Sequence, residues 1–245
     1  MPPAPSISDQ VLSYALPTDQ DLFAELAASA RLEDLGKGRR GTTLTKPDET
    51  GGVPLVRTTS QYANPAQHFR PIHECLAQQI QQRAGLPLAF NNALFESYTN
   101  AYTTMGSHSD QALDLADESF IAVLSCYRDP EAGPPRKLIV ESKGSDGERF
   151  EIPLTHNSFV AFSVGSNRRL RHKIVLDKPV PAADNLWLGV TFRTSKTLVR
   201  FRDGHPYLPQ GARLTTADDE QRREFYQLRR RENCENRRVL SRAVA

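Results

Sequence analysis

The chain of 245 residues contains little cysteine, and its three cysteines stand far apart. Cys75, Cys126 and Cys234 are odd in number and form no CxxC pair, which argues against a disulfide framework and against a structural zinc site. The chain also lacks any apolar run near the roughly 20 residues that a helix needs to cross a bilayer. Its first residues have neither the basic start nor the apolar stretch of a secretory signal. We therefore expect a cytoplasmic protein that makes no membrane contact.

An excess of charge of either sign is absent too. The chain has 31 Lys and Arg against 29 Asp and Glu, for a formal net charge of +2. The whole chain thus gives no electrostatic reason to expect nucleic acid as a partner, and any such reason must come from local patches. The hydrophobic share of 38% is typical of a globular protein, and the length suits one domain with extensions. Composition leaves the oligomeric state open.

Helical spacing of apolar residues predicts two helices in the first third of the chain. The first covers residues 19–34 and can be capped by Thr18. The second covers residues 70–84 and ends at Gly85. Between them, residues 36–52 are rich in Gly, Thr, Lys and Arg, which predicts an irregular loop.

Beyond residue 90 the chain changes to short segments that are rich in β-branched and aromatic residues and are separated by turn signals. These predicted strands cover residues 93–99, 120–127, 137–142, 150–154, 158–163, 172–176 and 186–193. The pattern is typical of an antiparallel sandwich or jelly roll and not of alternating βαβ units.

These segments give a mainly β chain with flanking helices (α+β) around a jelly-roll core. We predict a flexible lead over residues 1–17, a single domain over 18–213 and a charged C-terminal helix over 214–245. Within the domain, residues 18–90 would form helical support and a lid, and residues 91–200 the jelly-roll core. In the C-terminal helix, arginines alternate with glutamates. The simpler interpretation is a solvated helix that docks through Phe225 and Leu228, and the alternative is a contact with nucleic acid or a partner.

The residues that carry chemistry are His108, Asp110 and His172. On an extended strand, residues two apart project to the same face, so His108 and Asp110 can bind one ion. Two imidazoles and one carboxylate can hold Fe(II) on one face of an octahedron and leave the other face open, as in the non-haem iron oxygenases. We predict that these three residues are the metal ligands and the catalytic centre.

Three such ligands supply no electrons, so activation of O2 needs a reductant such as a 2-oxo acid. Arg193 ends an apolar predicted strand, and an arginine can hold a carboxylate through two parallel hydrogen bonds. Arg193 is therefore the predicted anchor for the co-substrate. A surface arginine at the end of a strand is the alternative.

Four motifs together resemble the AlkB-like branch of the Fe(II)/2-oxoglutarate-dependent dioxygenases. They are Phe95-Glu96-Ser97-Tyr98, Met105-Gly106-Ser107-His108-Ser109-Asp110, Arg171-His172-Lys173 and Val190-Thr191-Phe192-Arg193, and the resemblance runs from about Pro54 to Arg193. It implies a double-stranded β-helix, iron bound by His108, Asp110 and His172, and 2-oxoglutarate bound by Arg193. It also implies a hydrogen bond from Tyr98 to 2-oxoglutarate.

Three positions depart from the pattern of that branch. Glu96 stands where an asparagine is common, and Trp187 and Gly189 stand where a second arginine and an asparagine or serine are common. The paired arginines that would cradle the co-substrate are therefore not both present, and the chain resembles an oxygenase more than it resembles a repair enzyme.

The resemblance implies hydroxylation of a C–H bond through an Fe(IV)-oxo species with release of succinate and CO2, and it leaves two substrates open. One is an N-alkylated nucleobase, which would lose its alkyl group as an aldehyde. That substrate requires a basic lid, which Lys37, Arg39, Arg40, Lys46, Arg57 and Tyr62 could build, with Arg168, Arg169 and Arg171 beside the metal. The other is a small molecule such as an amino acid or a natural-product intermediate. The near-neutral charge slightly favours the small molecule.

Overall fold

The computed structural model describes residues 6–17, 21–144, 147–177 and 185–234. The strands in these residues are β1 (Val11–Ala15), β2 (Glu33–Gly36), β3 (Arg39–Thr45), β4 (Val53–Pro54), β5 (Gln67–His68), β6 (Asn92–Tyr98), β7 (Phe120–Tyr127), β8 (Lys137–Ser142), β9 (Arg149–Pro153), β10 (Ser158–Ser163), β11 (Leu170–Val175), β12 (Trp187–Arg193), β13 (Leu198–Arg202) and β14 (His205–Tyr207). The helices are α1 (Leu22–Ser29), α2 (Pro71–Ala84), α3 (Val164–Arg169) and α4 (Asp219–Cys234), after a 3₁₀ turn at Ser8–Gln10. None of these helices is both long and apolar enough to cross a bilayer.

The strands form one large sheet and two small ones. The large sheet has the order β1-β10-β7-β12-β6-β3-β2, and β5 pairs with β3 at its side. A three-stranded sheet has the order β11-β8-β9, and another has the order β14-β13-β4. Apart from the parallel pair of β3 and β5, every pairing between these strands is antiparallel. This topology confirms the predicted mainly β fold with flanking helices.

One face of the large sheet packs against α1 and α2. Leu26 of α1 and Ile80 of α2 are fully buried there, against Phe95, Val190 and other sheet residues. Helix α2 begins with a proline in its first turn and ends where Gly85 adopts a left-handed backbone with φ of 60°. The two helices therefore fix this face of the sheet as a dry core.

The other face of the large sheet meets the small sheet of β11, β8 and β9. Ile121 and Val160 from the large sheet share a second buried core with Leu138 and Val140 from β8. His172 of β11 borders this core, because its ring lies 5.3 Å from that of Phe162 of β10. The predicted metal ligand thus lies between the two sheets.

The structure confirms every predicted strand beyond residue 90, with bounds that differ by at most two residues. It also confirms the helix predicted over residues 70–84. The first predicted helix, over 19–34, is shorter in the structure and covers Leu22–Ser29. Its N-cap is Asp21, whose carboxylate accepts a hydrogen bond from the Ala24 amide. Thr18 lies outside the described residues.

The loop predicted over residues 36–52 is wrong for its first half. Residues Arg39–Thr45 form β3, which pairs along its whole length with β6. Thr42, Thr43 and Thr45 are buried there, and β-branched threonines fit a pleated strand well. The glycines and arginines of this stretch obscured the strand in the sequence.

The flexible lead predicted over residues 1–17 also needs correction, because β1 pairs with β10 and forms an edge of the large sheet. Ile7 and Val11 are each only 8% exposed and pack into the core between the sheets. The proline-bearing start concealed these contacts, which join residues about 150 positions apart. Residues 1–5 lie outside the described part of the chain.

Replacement of Ile7 by alanine tests this anchoring. Loss of a buried isoleucine side chain removes apolar burial and leaves a cavity, so the free energy of unfolding should fall by about 2 kcal/mol. Urea denaturation followed by circular dichroism measures the change. The control is Leu88→Ala, since Leu88 is 38% exposed and its loss should cost less than about 0.5 kcal/mol. Equal stability of the two variants would show that residues 6–17 do not anchor the fold.

Candidate metal centre

Backbone pairing brings the two predicted histidine ligands together. The His108 amide donates to the His172 carbonyl at 3.0 Å, and the His172 amide donates to the His108 carbonyl at 2.7 Å. This bridge joins the segment before β7 to β11, although 64 positions separate the two residues in the chain. The imidazoles then lie side by side, with ring centroids 4.7 Å apart.

Asp110 completes a cluster of three ligands. Its Oδ1 lies 3.4 Å from Nε2 of His108 and 3.6 Å from Nε2 of His172. One ligand atom from each residue lies within 4.8 Å of the others. The three residues that the sequence pattern predicts as metal ligands therefore converge on one point.

Local hydrogen bonds set the orientation of His108. Its Nδ1 lies 2.8 Å from the Gly106 carbonyl. Because a carbonyl oxygen only accepts, Nδ1 must donate, so Nε2, on the side of Asp110, is the nitrogen that can bind a metal when the ring is neutral. A ligating histidine commonly uses its second nitrogen in this way.

Arg193 holds the Asp110 carboxylate from behind. Its Nε and Nη2 both donate to Oδ2 of Asp110, at 2.9 and 2.6 Å, so Oδ1 is left to the two histidines. Both side chains are less than 10% exposed. Burial acts to raise the pKa of Asp110, but Arg193 and the two imidazoles outweigh it and hold that pKa well below its usual range. Asp110 is therefore ionised, as a metal ligand must be.

The pKa values of His108 and His172 are shifted in opposite directions. Burial lowers the pKa of His172 despite the nearby carboxylate of Asp110. Burial also acts to lower the pKa of His108, but its hydrogen bond to Asp110 and the charge of that group raise it overall. His172 is thus neutral at pH 7 and available to a metal.

The backbone of His108-Ser109-Asp110 is held in place by residues that could not be identified from the sequence. The side-chain amide of Asn167 in α3 accepts from the Asp110 amide at 2.8 Å and donates to the Asp110 carbonyl at 2.9 Å. The Ser109 hydroxyl donates to the Leu170 carbonyl at 2.6 Å. No spacing rule points to Asn167, because its partner lies 57 positions away.

A cavity of about 50 Å³ lies beside the three ligands and between the sheets. Alternate residues of β6 and β12 line it, because side chains two apart on a strand share a face. These residues are Leu94, Glu96 and Tyr98 on β6, and Trp187, Gly189, Thr191 and Arg193 on β12. Arg193 and Tyr98, the predicted co-substrate residues, therefore both face the cavity.

Glu96 places a second buried carboxylate in the wall of this cavity. It accepts hydrogen bonds from Nε of Arg39 at 2.8 Å and from the Tyr98 hydroxyl at 2.5 Å. The Tyr62 hydroxyl lies 3.4 Å from it. The Tyr98 hydroxyl thus already has an acceptor within the protein, and its predicted bond to 2-oxoglutarate stays a prediction.

Trp187 forms the end of the cavity, at the position where the AlkB-like pattern commonly has a second arginine. Its indole N–H donates to the Ser125 hydroxyl at 2.8 Å, and its ring lies over Gly189.

Behind the ring lies the fully buried Arg136, whose guanidinium carbon is 5.4 Å from the Trp187 ring centroid and 5.6 Å from that of Tyr98. Arg136 donates to the carbonyls of Thr99 and Tyr102. It was missed because a lone arginine after two prolines carries no periodic signal.

His73, a buried histidine outside the cluster, has a structural role. Nε2 of His73 lies 2.7 Å from the Ser29 hydroxyl, and its Nδ1 accepts from the Arg70 amide at 3.0 Å. Burial lowers the pKa of His73 to about 4, so it is neutral and joins α2 to α1.

Two solved structures are similar to this fold. The structure of OsALKBH1 matches with a TM-score of 0.52 and 13% sequence identity, over 76% of this chain and 96% of that one. A Pseudomonas putida prolyl-4-hydroxylase matches with a TM-score of 0.44 and 17% identity, over 77% of this chain and 96% of that one. No family model and no curated protein matches the chain by sequence. At the level of the fold, the first similarity confirms the predicted jelly-roll core and agrees with the AlkB-like resemblance.

Gly189→Ala tests the contact between residue 189 and Trp187. A Cβ at position 189 would lie 2.7 Å from the indole ring, so the ring or the strand must move. We expect a loss of about 1–3 kcal/mol of unfolding free energy, which denaturant titration measures. The control is Gly165→Ala, where the nearest atom would lie at an ordinary 3.5 Å. In a Trp187→Leu background the cost of Gly189→Ala should shrink, and an unchanged cost would refute the contact.

Proposed function

We propose that this chain is an Fe(II)- and 2-oxoglutarate-dependent dioxygenase that hydroxylates a C–H bond of its substrate. The observation that carries the proposal is the convergence of His108, Asp110 and His172 within 4.8 Å at the end of an antiparallel sheet pair. Two imidazoles and one carboxylate, placed on one side of a point, are the ligand set of mononuclear iron oxygenases.

The donor set fits Fe(II). Asp110 is ionised, Nδ1 of His108 is occupied by the Gly106 carbonyl so that Nε2 is the nitrogen left for a metal, and His172 is neutral. Nitrogen and oxygen donors suit iron, whereas a structural zinc site commonly has cysteine ligands. The protein supplies three ligands, which leaves positions for a co-substrate and for O2.

The net charge around the cavity beside the three ligands is compatible with 2-oxoglutarate as the co-substrate. Arg193 balances Asp110 and Arg39 balances Glu96, so the protein groups are neutral in pairs. Fe(II) would add two positive charges, which a 2-oxo dicarboxylate with two negative charges would neutralise. Arg193 uses two of its five N–H donors on Asp110, and a carboxylate in the cavity can take others.

When bound, iron and 2-oxoglutarate would use O2 to oxidise the substrate C–H bond and would release succinate and CO2. The chain's own residues contribute orientation and shielding. Arg193 keeps Asp110 in one position, and Asn167 keeps the backbone of that residue in place. Trp187, Val123 and Ile174 form an apolar part of the cavity wall.

Among the two substrates that the sequence left open, the structure supports the small molecule. A lid for nucleic acid needs cations that are available to phosphates. The cations suggested for that lid are largely engaged by the protein itself. Arg39 pairs with Glu96, Arg57 with Asp114, Lys46 with Glu74 and Arg168 with Asp117, while Arg40 donates to the Leu32 carbonyl.

His108→Ala tests the metal assignment. We expect this variant to lose Fe(II) binding and to stop forming succinate from 2-oxoglutarate, because one of three protein ligands is missing. Calorimetric titration with Fe(II) under anaerobic conditions and a succinate assay measure the two effects. The control is His205→Ala, since His205 is exposed and contacts Arg213 outside the cluster. An active His108→Ala variant with unchanged iron affinity would refute the assignment.

Nucleic acid provides a second test. Single-stranded oligonucleotides with N-alkylated bases should bind only non-specifically, at about 10⁻⁴ to 10⁻⁶ M near physiological salt, because most of the basic side chains suggested for the lid are already engaged by the protein. Fluorescence anisotropy at several salt concentrations measures this affinity. Tight binding with succinate release above the rate without substrate would instead establish nucleobase dealkylation.

A further inference from the structure

A larger cavity of about 260 Å³ opens above His108 and Asp110, on the outer side of the metal cluster. Residues from three distant parts of the chain meet around it. Arg57 and Thr58 come from the segment after β4, Gln111 follows the metal motif, and Arg229 and Asn233 come from α4. The C-terminal helix therefore forms a wall of the space that leads to the metal.

Helix α4 is hydrogen-bonded to the His108-Ser109-Asp110 segment. The side-chain oxygen of Asn233 accepts a hydrogen bond from the Ser109 amide at 3.1 Å, between the two ligands His108 and Asp110. Arg229 lies one turn earlier on the same face and is half-buried, whereas the adjacent Arg230 is exposed. The helix thus presents Arg229 and Asn233 to the cavity and its other arginines to solvent.

The lining of this cavity favours an anion. Four arginines line it, namely Arg39, Arg57, Arg193 and Arg229, against the two acids Glu96 and Asp110. Within the described residues, Arg229 forms no ion pair and lies 5.9 Å from the Tyr226 ring. Three of these arginines are paired, Arg39 with Glu96, Arg193 with Asp110 and Arg57 with Asp114, so Arg229 is the cation that gives the wall its positive charge before any metal is bound.

Hydrogen-bond donors in the wall point to the same chemistry. The side-chain amide nitrogen of Gln111 is buried and has no hydrogen-bond partner within the described part of the chain. A buried donor without an acceptor is unfavourable, and an oxygen of a bound ligand would satisfy it. The hydroxyl of Thr58 is already engaged by the Ser60 carbonyl, whereas the Gln111 amide remains available to a ligand.

We propose that this cavity binds the substrate, and that the substrate is a small molecule with a carboxylate or phosphate group held by Arg229 and Arg57. Asn233 is a positioning residue that locks α4 against the metal motif through Ser109. The proposal rests on the dioxygenase function proposed above and names the class of its substrate. The Asn233 contact places α4 beside the predicted metal ligands, on the side from which a polynucleotide would also have to approach the cavity.

The test separates anion binding from catalysis. Metal-free, full-length protein is titrated with inorganic phosphate and, separately, with acetate, at an ionic strength held constant with chloride. Calorimetry gives the affinity, and the Nε–H resonance of Arg229 in nitrogen-15 spectra reports the location. Arg229→Gln should weaken the binding of the preferred anion about 10- to 100-fold, because a charged hydrogen bond is lost, and Arg229→Lys should retain part of it.

Arg230→Gln is the matched control, because it removes the same charge from the exposed side of the same helix and should leave the affinity unchanged. Asn233→Ala should also weaken anion binding while the far-ultraviolet circular dichroism stays that of the folded protein. Equal losses in Arg229→Gln and Arg230→Gln, or anion binding no tighter than that of chloride, would overturn the proposal.

A second arm measures succinate release with the iron-loaded enzyme. Small carboxylates and phosphate monoesters should stimulate release more than the corresponding amides and alcohols, and Arg229→Gln should remove that preference. Preference for the neutral compounds would overturn the anionic class. If no compound yields succinate while phosphate or acetate still binds at Arg229, the dioxygenase function fails and the anion site stands.

Discussion

The buried ion pair between Asp110 and Arg193 is the interaction on which the rest of the site depends. A carboxylate that is only 8% exposed is costly unless charged partners compensate it, and loss of one partner of such a pair typically costs about 3–5 kcal/mol. Arg193 compensates one oxygen, and the other oxygen faces the two imidazoles. Because Arg193 ends β12 and His172 belongs to β11, this one carboxylate ties the large sheet to the small one.

Strand β12 couples this ion pair to the packing of the whole domain. Its alternate residues Leu188 and Val190 are buried against α1 and α2, while Trp187 and Arg193 face the metal cluster. A shift of β12 by one residue would exchange these two sets and would bury Arg193 among the helices. The apolar core thus fixes the register, and the register places the guanidinium on Asp110.

Much of this could be predicted from the sequence, because the decisive signals are local or rest on a rare ligand set. The HxD spacing, the later histidine and the alternating strands beyond residue 90 each follow from short-range geometry. Strand β1 and the roles of Asn167 and Asn233 could not be predicted, since each depends on a partner more than 50 positions away. The sequence shows that Trp187 and Gly189 depart from the AlkB-like pattern. Only the structure shows that the Trp187 ring packs on Gly189, and this contact explains the two departures together.

The basic residues near the site also have partners that are distant in the sequence, and these partners change how the basic residues are interpreted. Arg39 and Arg57 read as a cationic lid when only their neighbours in the chain are counted, yet each pairs with a carboxylate 57 positions away. A paired arginine offers little net field to a phosphate backbone, but it can still donate hydrogen bonds at short range. If the cavity binds the proposed small anion, such an entrance would discriminate by the fit of that group and not by long-range attraction of a polyanion. On the proposed function, the positions of these ion pairs would therefore matter more to substrate choice than the number of arginines.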